Sequence, residues 1–263
     1  MKIDNNKIQI YVCAHKQFDT SVVPEDNHTI MYTKDCNNLL NNLEYAYAEG
    51  YMMRELYEHS EQLPDYVGIA QYRKYFSSPI DKLYDVLVNG DNGRAVDIIL
   101  PYQQNQHLTI YKLYDYCANI KDLDLIIDIV CRHNPNYANV IKHVFNQHLF
   151  FPYNMCIMSR ENFCKYCEWA FNILEEYNKI MKFTTYDDIY KYVDTHRSLY
   201  RNTRLWKESP KTEQDKLLNY YGSIKYSTRI QGQLLERMLN IYVYYNFRNS
   251  MYLSKIKEIG TAY

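Results

Sequence analysis

The stretch that decides the fold is residues 65–76, DYVGIAQYRKYF, in which a short apolar run turns abruptly polar. The apolar part, residues 66–70, is typical of a buried β-strand. In open α/β sheets, ligands gather beyond the carboxyl ends of the strands. Gln71, Tyr72, Arg73 and Lys74 directly follow this strand, so they are the first candidates for a binding site.

Neighbouring segments extend the pattern to an α/β protein. Residues 7–13 alternate apolar and other side chains, and residues 96–101 and 150–159 are also strand-like. Helical spacing covers residues 39–59, 109–133 with a break, and 228–247, and Ser159 can cap a further long helix. Residues 183–228 have weak periodicity and predict a mobile or irregular region. Short strands separated by helices indicate a sheet flanked by helices.

Length and composition predict one folded domain. The chain has 263 residues, of which 47% are hydrophobic and 23% are charged. These values exclude disordered, collagen-like and coiled-coil classes. The length is near the upper limit of one hydrophobic core, so we expect a single domain over residues 1–263 with a helical C-terminal part.

The net charge of −1 argues against a dedicated nucleic-acid-binding protein, because it provides no overall field to hold a polyanion. The N-terminal sequence lacks the apolar core of a signal peptide, and no stretch is long enough to span a membrane. Seven cysteines without a regular framework fit a reducing compartment. We therefore expect a cytoplasmic protein, and we expect the Cys164 and Cys167 pair to lie in a helix without a zinc or redox role.

Common nucleotide-binding and hydrolase motifs are absent from the sequence. There is no G-x-G-x-x-G, no P-loop and no G-x-S-x-G. The usual dinucleotide, NTPase and α/β-hydrolase interpretations therefore lose their support.

Two further groups of polar residues are candidates for the site. His15 and Lys16 follow the first predicted strand and, with Asp35, could hold a base, a ribose or a phosphate. On the last predicted helix, helical spacing puts four polar residues on one side: Arg229, Gln233, Glu236 and Asn240. A carboxylate there could act as a general base. A solvated turn and a solvated helix face are the alternatives for these two groups.

Several segments, in order, resemble a bacterial and viral family linked to capsular polysaccharide synthesis, long catalogued as a domain of unknown function, that includes galactofuranosyltransferases. YVGIAQYRKYF resembles the family signature Y-x-G-L-x-H-Y-R-R-Y-F. IYVCAHK, DIILPYQQN, HLFFPYNMCIMSRENFCKYCEWAFNIL and RIQGQLLERMLNIYV are similar to its other blocks. The match covers most of residues 8–247 and is weakest over 183–228. Gln71 replaces the usual histidine and Lys74 the second arginine, so that histidine's role does not carry over.

The resemblance implies a GT-A-like fold with a Rossmann-type nucleotide-sugar half, about residues 1–110, and an acceptor-side half, about 111–263. With a UDP-sugar as the expected donor, the predicted contacts are the polar residues after the strands and on the last helix, together with Asn154: His15, Lys16, Asp35, Gln71, Tyr72, Lys74, Asn154 and Arg229. Arg73 would neutralise the leaving diphosphate and Glu236 would be the base. A glycan acceptor is the expected partner, and a lipid-linked acceptor would bring peripheral membrane contact.

The diphosphate could be neutralised either by a metal ion or by basic side chains. Many GT-A enzymes hold Mg²⁺ or Mn²⁺ with an Asp-x-Asp after a central strand, where this chain has Gln71-Tyr72-Arg73. Asp91, Asn92 and Asp97 could supply oxygen ligands instead. We favour a metal-independent site in which Arg73 and Lys74 replace the ion.

The sequence thus predicts a glycosyltransferase that moves a hexosyl group, with galactofuranosyl as the leading candidate, from a UDP-sugar to a glycan. One alternative is a non-catalytic nucleotide-sugar or glycan-binding module, suggested by Gln71. Another is a viral transferase that modifies nucleic-acid bases, suggested by the basic 197–229 region.

Overall fold

The computed structural model describes residues 4, 6–200 and 224–259. Over these residues the chain forms a mixed, mostly parallel sheet flanked by helices. Its strands are β1 Ile8–Ala14, β2 His28–Tyr32, β3 Tyr66–Gln71, β4 Lys74–Phe76, β5 Ile98–Pro101, β6 Gln104–Asn105, β7 Leu149–Phe150, β8 Cys156–Ser159, β9 Met251–Ser254 and β10 Ile256–Glu258.

The main sheet has the strand order β2, β1, β3, β8, β5, β9. β8 is antiparallel to both of its neighbours, whereas the other adjacent pairs are parallel. At its carboxyl end β3 turns into β4, which pairs antiparallel with β10. β6 and β7 form a separate two-stranded ribbon. The carboxyl ends of β1, β3, β5 and β9 therefore meet at one edge.

The helices cover both faces of this sheet. They are α1 Glu44–Tyr47, α2 Glu49–Glu58, α3 Ile80–Asn89, α4 Ile110–Cys117, α5 Ile120–His133, α6 Tyr137–Phe145, α7 Arg160–Met181, α8 Tyr186–Thr195, α9 Arg197–Tyr200, α10 Ile224–Ser227 and α11 Ile230–Asn246. Short 3₁₀ turns occur at Thr20–Val22, Thr33–Asp35 and Ser60–Gln62.

Alternate residues of the strands enter two hydrophobic cores, one on each face. Val67 and Ile69 of β3 lie in the larger core, which also contains the buried faces of α2, α5, α7 and α11. Ala70 lies in the smaller core with Ile10 and Val12 of β1 and with the buried face of α3. A strand that is covered on both faces needs apolar side chains at every position, which explains the apolar run that begins β3.

A glycine brings α11 close to the chain that precedes α2. A Cβ atom added at Gly232 would lie 3.0 Å from the Tyr47 carbonyl oxygen and 3.1 Å from the Ala48 Cβ. Ala48 itself has a φ of +52°, which interrupts the helical stretch between α1 and α2. This close approach places the N-terminal turns of α11 beside the start of α2.

Most of the elements expected from the sequence are confirmed. Strands occur within 7–13, 66–70, 96–101 and 150–159 apart from small shifts at their ends, and Ser159 accepts from the Asn162 N–H to cap α7. The expected irregularity over 183–228 is wrong for α8, α9 and α10, which are helical, and α8 begins at a capping box formed by Thr185 and Asp188. Residues 201–223, which carry much of the basic region, lie outside the described residues.

The cysteine pair lies on a helix, as its spacing predicts. Cys164 and Cys167 lie within α7 as free thiols. Within residues 4, 6–200 and 224–259, no helix combines the length and the apolar character that crossing a bilayer requires.

Candidate functional site

A cleft of about 230 Å³ opens at the edge where the parallel strands end, and we call it the edge cleft. The residues around it come from the ends of β1 and β3, from the turn before β8, and from α2, α10 and α11. They are His15, Glu49, Gln71, Tyr72, Arg73, Lys74, Tyr153, Asn154, Tyr226, Arg229, Gly232, Gln233 and Glu236.

The edge cleft brings together most of the side chains that the sequence singled out. His15, the segment 71–74, Asn154, Arg229 and Glu236 all line it. Lys16 and Asp35 do not. Both are exposed, Lys16 in the turn after β1 and Asp35 in a 3₁₀ turn after β2. Asn240 is fully buried, where it bonds the backbone of Phe151, so it supports the fold instead of lining the cleft.

A second cavity of about 230 Å³ adjoins the edge cleft and shares three of its residues, His15, Glu49 and Arg229. Its remaining residues are Cys13, Thr33, Glu44, Tyr45, Ala48 and Met52. Because these come from the ends of β1 and β2 and from α1 and α2, the two cavities extend along the same sheet edge.

Glu49 connects the walls of the cleft, although it was not among the predicted site residues. Its Oε1 accepts a hydrogen bond of 2.9 Å from Gln71 Nε2, and its Oε2 lies 3.8 Å from Arg229 Nη2. The side chain is 15% exposed. Glu49 lies within the helical stretch 39–59, and that spacing alone did not mark it as a site residue.

Arg73 and Lys74 carry positive charge into the cleft without a carboxylate partner among the described residues. The Arg73 guanidinium lies 4.8 Å from the centre of the Tyr72 ring, and Lys74 Nζ lies 4.3 Å from the centre of the Tyr153 ring. Arg73 Nε is buried and has no hydrogen-bond partner among the residues that the structure describes. Aromatic faces attract cations but leave their charge uncompensated, so this wall favours an anion.

His15 contributes a neutral ring to the same wall. The imidazole packs edge-on against Tyr72, with 5.1 Å between the ring centres. Desolvation lowers the pKa of His15, and the nearby Arg229 lowers it further, while Glu49 opposes the shift. The ring is therefore uncharged near neutral pH and serves as a hydrogen-bonding group.

Glu236 is held in a fixed position by two donors. Its Oε1 accepts a 2.6 Å hydrogen bond from the Tyr153 N–H, and its Oε2 pairs with Arg237 Nη1. The Arg237 guanidinium is largely buried and lies 4.7 Å from the centre of the Phe150 ring. The carboxylate is 19% exposed, so it reaches the cleft while its orientation is set from behind.

Two successive residues with left-handed backbone lead into β8. Tyr153 has a φ of +73° and Asn154 a φ of +54°. Such a conformation is strained for a bulky residue such as tyrosine, and strain of this kind is concentrated at functional sites. The Tyr153 hydroxyl accepts from Gln104 Nε2 at 2.8 Å and lies 3.3 Å from Glu258 Oε1. Burial raises the pKa of Tyr153 to about 12, so it remains a phenol.

The described side chains offer no preformed cluster for a divalent metal ion. Residues 4, 6–200 and 224–259 contain no group of three or more His, Cys, Asp or Glu side chains arranged to hold an ion. Asp91, Asn92 and Asp97 lie before β5, at the opposite end of that strand from the cleft. Glu49 and Glu236, which line the cleft, are both engaged with cations of the protein.

The protein thus has a mostly parallel α/β sheet of Rossmann type, with a cationic cleft at the carboxyl edge of its strands, where ligands bind in open α/β sheets. Residues 9–198 match the family model described as "Domain of unknown function (DUF4422)", and the chain belongs to that family. No curated protein matches the chain.

One solved structure, the apo form of the bifunctional glycosyltransferase WbbM, is similar to this chain with a TM-score of 0.64 and 17% sequence identity. The similarity covers 97% of this chain but only 46% of that one. The chain therefore spans less than half the length of WbbM and shares the fold of the matching part.

Proposed function

We propose that the protein is a glycosyltransferase that uses a UDP-sugar donor, with a hexosyl group as the transferred sugar and galactofuranosyl as the leading candidate, and a glycan as acceptor. We further propose that residues 1–263 form one catalytic domain, with the nucleotide-sugar half over about 1–110. The fold similarity to a glycosyltransferase and the family membership are consistent with this function.

The observation that carries the proposal is the pair of cations in the edge cleft. Arg73 and Lys74 lack carboxylate partners among the described residues, and Arg229 lines the same cleft. The diphosphate of a UDP-sugar carries two negative charges, and it gains a third as the bond to the sugar breaks, so this charge must be neutralised as the group leaves. Guanidinium and ammonium groups held in place before the reaction supply that neutralisation without reorganisation.

In the proposed reaction, Arg73 and Lys74 bind the diphosphate oxygens, and His15 and Arg229 bind the remainder of the nucleotide with Tyr72. Glu236, oriented by the Tyr153 N–H and by Arg237, accepts the proton of the acceptor hydroxyl. Lys16 and Asp35 keep a role only at the outer margin of the nucleotide site, because both are exposed beyond the edge cleft.

A panel of thermal-shift measurements with UDP, UDP-sugars, GDP, ATP and NAD, each with and without Mn²⁺, tests the donor class. A ligand that binds only the folded state raises its stability, by about 2.7 kcal/mol at a concentration of 100 times Kd. We expect UDP-sugars to give the largest shift, with little effect of Mn²⁺. A larger shift with ATP or NAD would contradict the proposal.

The second candidate is a binding module without turnover. The ion pair between Glu236 and Arg237 favours it, because a carboxylate that is held in an ion pair can serve the fold instead of taking a proton. Release of UDP from a UDP-sugar distinguishes the two, since a binding module shows the thermal shift and releases no UDP.

A further inference from the structure

Asn154 has an amide oxygen for which the described part of the protein supplies no hydrogen-bond donor. The residue lines the edge cleft and is 2% exposed, and its Oδ1 is buried without a partner. Buried polar atoms are almost always hydrogen-bonded in native proteins, because leaving one unpaired costs the full desolvation of the group. Because Asn154 lines the cleft, a molecule bound there can supply the missing donor once the side chains that cover the oxygen move aside.

The backbone keeps Asn154 at this position. Tyr153 and Asn154 both have a left-handed backbone conformation, and hydrogen bonds hold both backbone polar groups of Tyr153. Its N–H donates to Glu236 Oε1, and its carbonyl oxygen accepts from Gln71 Nε2 at 3.4 Å. Asparagine tolerates this conformation better than most residues do. The site thus maintains a strained turn that places an amide at the cleft.

Gln71 provides a second acceptor beside the first. The register of β3 against β8 pairs Ile69 with Cys156, and two residues further along it brings Gln71 opposite Asn154. The Nε2 group of Gln71 donates to Glu49 Oε1 and to the Tyr153 carbonyl oxygen, which uses both of its hydrogens. Its Oε1 receives no hydrogen bond from the described residues and can only accept.

Resting on the proposed glycosyltransferase function, we propose that the amide oxygens of Asn154 and Gln71 form the subsite for hydroxyl groups of the transferred sugar. Phosphate oxygens only accept hydrogen bonds, so they gain nothing from this pair and bind Arg73 and Lys74 instead. Sugar hydroxyls donate, and they match two neighbouring acceptors. The two kinds of polar group in the cleft thereby separate the diphosphate from the sugar.

The test compares binding of UDP with binding of the UDP-hexose that the wild-type protein binds most tightly among UDP-glucose, UDP-galactose, UDP-galactofuranose and UDP-N-acetylglucosamine. The variant is Asn154→Gly, because glycine adopts a φ of +54° without strain. Asn27→Gly is the matched control. Asn27 has a φ of +52° and is 7% exposed, but it lies outside the edge cleft and its Nδ2 bonds the Ile8 carbonyl oxygen.

We expect Asn154→Gly to weaken binding of the UDP-hexose by about 3- to 10-fold, the size of one neutral hydrogen bond, and to leave UDP binding unchanged. Asn27→Gly lowers the melting temperature without changing either affinity. Among analogues of the same donor that each lack one hydroxyl, one should bind the wild-type protein about 3- to 10-fold more weakly than the donor does. The same analogue should bind Asn154→Gly as tightly as the donor does, because the missing hydroxyl and the missing amide remove the same hydrogen bond. Gln71→Met provides a second variant with the same expectation for a different hydroxyl.

Unchanged UDP-hexose binding in both Asn154→Gly and Gln71→Met, or an equal loss of UDP and UDP-hexose binding, would overturn the sugar subsite while the glycosyltransferase proposal stands. If the wild-type protein binds neither UDP nor any of these UDP-hexoses, the proposed function fails, and the subsite fails with it.

Discussion

Replacing Arg73 by alanine is the sharpest test of how the edge cleft would stabilise a leaving diphosphate. Arg73 follows β3 directly, and its guanidinium meets the Tyr72 ring at 4.8 Å instead of a carboxylate. The Arg73 carbonyl oxygen accepts from the Ile259 N–H at 2.9 Å, a backbone contact that alanine keeps. The substitution therefore removes charge without removing a structural ion pair, and the protein should stay folded.

The magnitude follows from the electrostatics of a partly enclosed site. At an effective dielectric constant of about 20, two unit charges 4 Å apart interact by about 4 kcal/mol. Part of this energy is already present when the donor binds, so only the increase on departure of the diphosphate accelerates the reaction. Loss of one such group commonly costs about 10²- to 10³-fold in rate, and we expect kcat to fall by that amount.

The assay is release of UDP from a UDP-sugar with acceptor present, together with the melting temperature of each variant. Arg94→Ala is the matched control, because Arg94 is exposed in the loop before β5, away from the cleft. It should retain wild-type activity. A wild-type kcat in a folded Arg73→Ala variant would show that Arg73 does not stabilise the leaving diphosphate and is an ordinary surface residue.

Three further substitutions test other parts of the structure. Glu236→Gln should abolish turnover while UDP binding persists, and it should lower the melting temperature because Arg237 loses its counter-charge; retained turnover would exclude Glu236 as the base. Asp122 is buried and accepts from the Tyr177 hydroxyl, and desolvation raises its pKa to about 6. The pKa of Asp122 in the folded protein lies above its ordinary value, so the fold favours the protonated carboxyl. The stability that this proton contributes is complete below about pH 4 and is lost as the pH rises through about 6. At pH 7.5, Asp122→Asn should therefore be more stable than wild type, with a higher melting temperature and a free energy of unfolding larger by up to about 3 kcal/mol. This advantage should vanish at pH 4. An equal difference in stability at the two pH values would contradict the raised pKa of Asp122. Ala48 has a φ of +52°, a conformation that strains alanine but not glycine. Ala48→Gly should therefore raise the free energy of unfolding, measured by urea denaturation, by roughly 1 kcal/mol. A lower free energy of unfolding would show that the backbone at Ala48 is unstrained.

Local patterns in the sequence were enough to predict the class of fold and much of the candidate site. A short apolar run such as residues 66–70 is typical of a strand covered on both faces, and a polar segment directly after such a strand is expected at the ligand edge. Arg73 and Lys74, predicted at that edge, line the edge cleft in the structure. Helical spacing did the same for Arg229 and Glu236, because residues on one face of α11 share their surroundings.

Only the tertiary structure decided the features that depend on contacts between distant segments. β9 and β10 are short, and they become strands only because β5 and β4 offer unpaired edges. Glu49 enters the site because Gly232 lets α11 approach the chain before α2. The left-handed turn at Tyr153 and Asn154 persists because Glu236 and Gln71 bind its peptide from two other elements. Residue type and spacing encode which face of an element is apolar, but hydrogen bonds between segments more than 80 residues apart form only when the packed cores have brought those segments together.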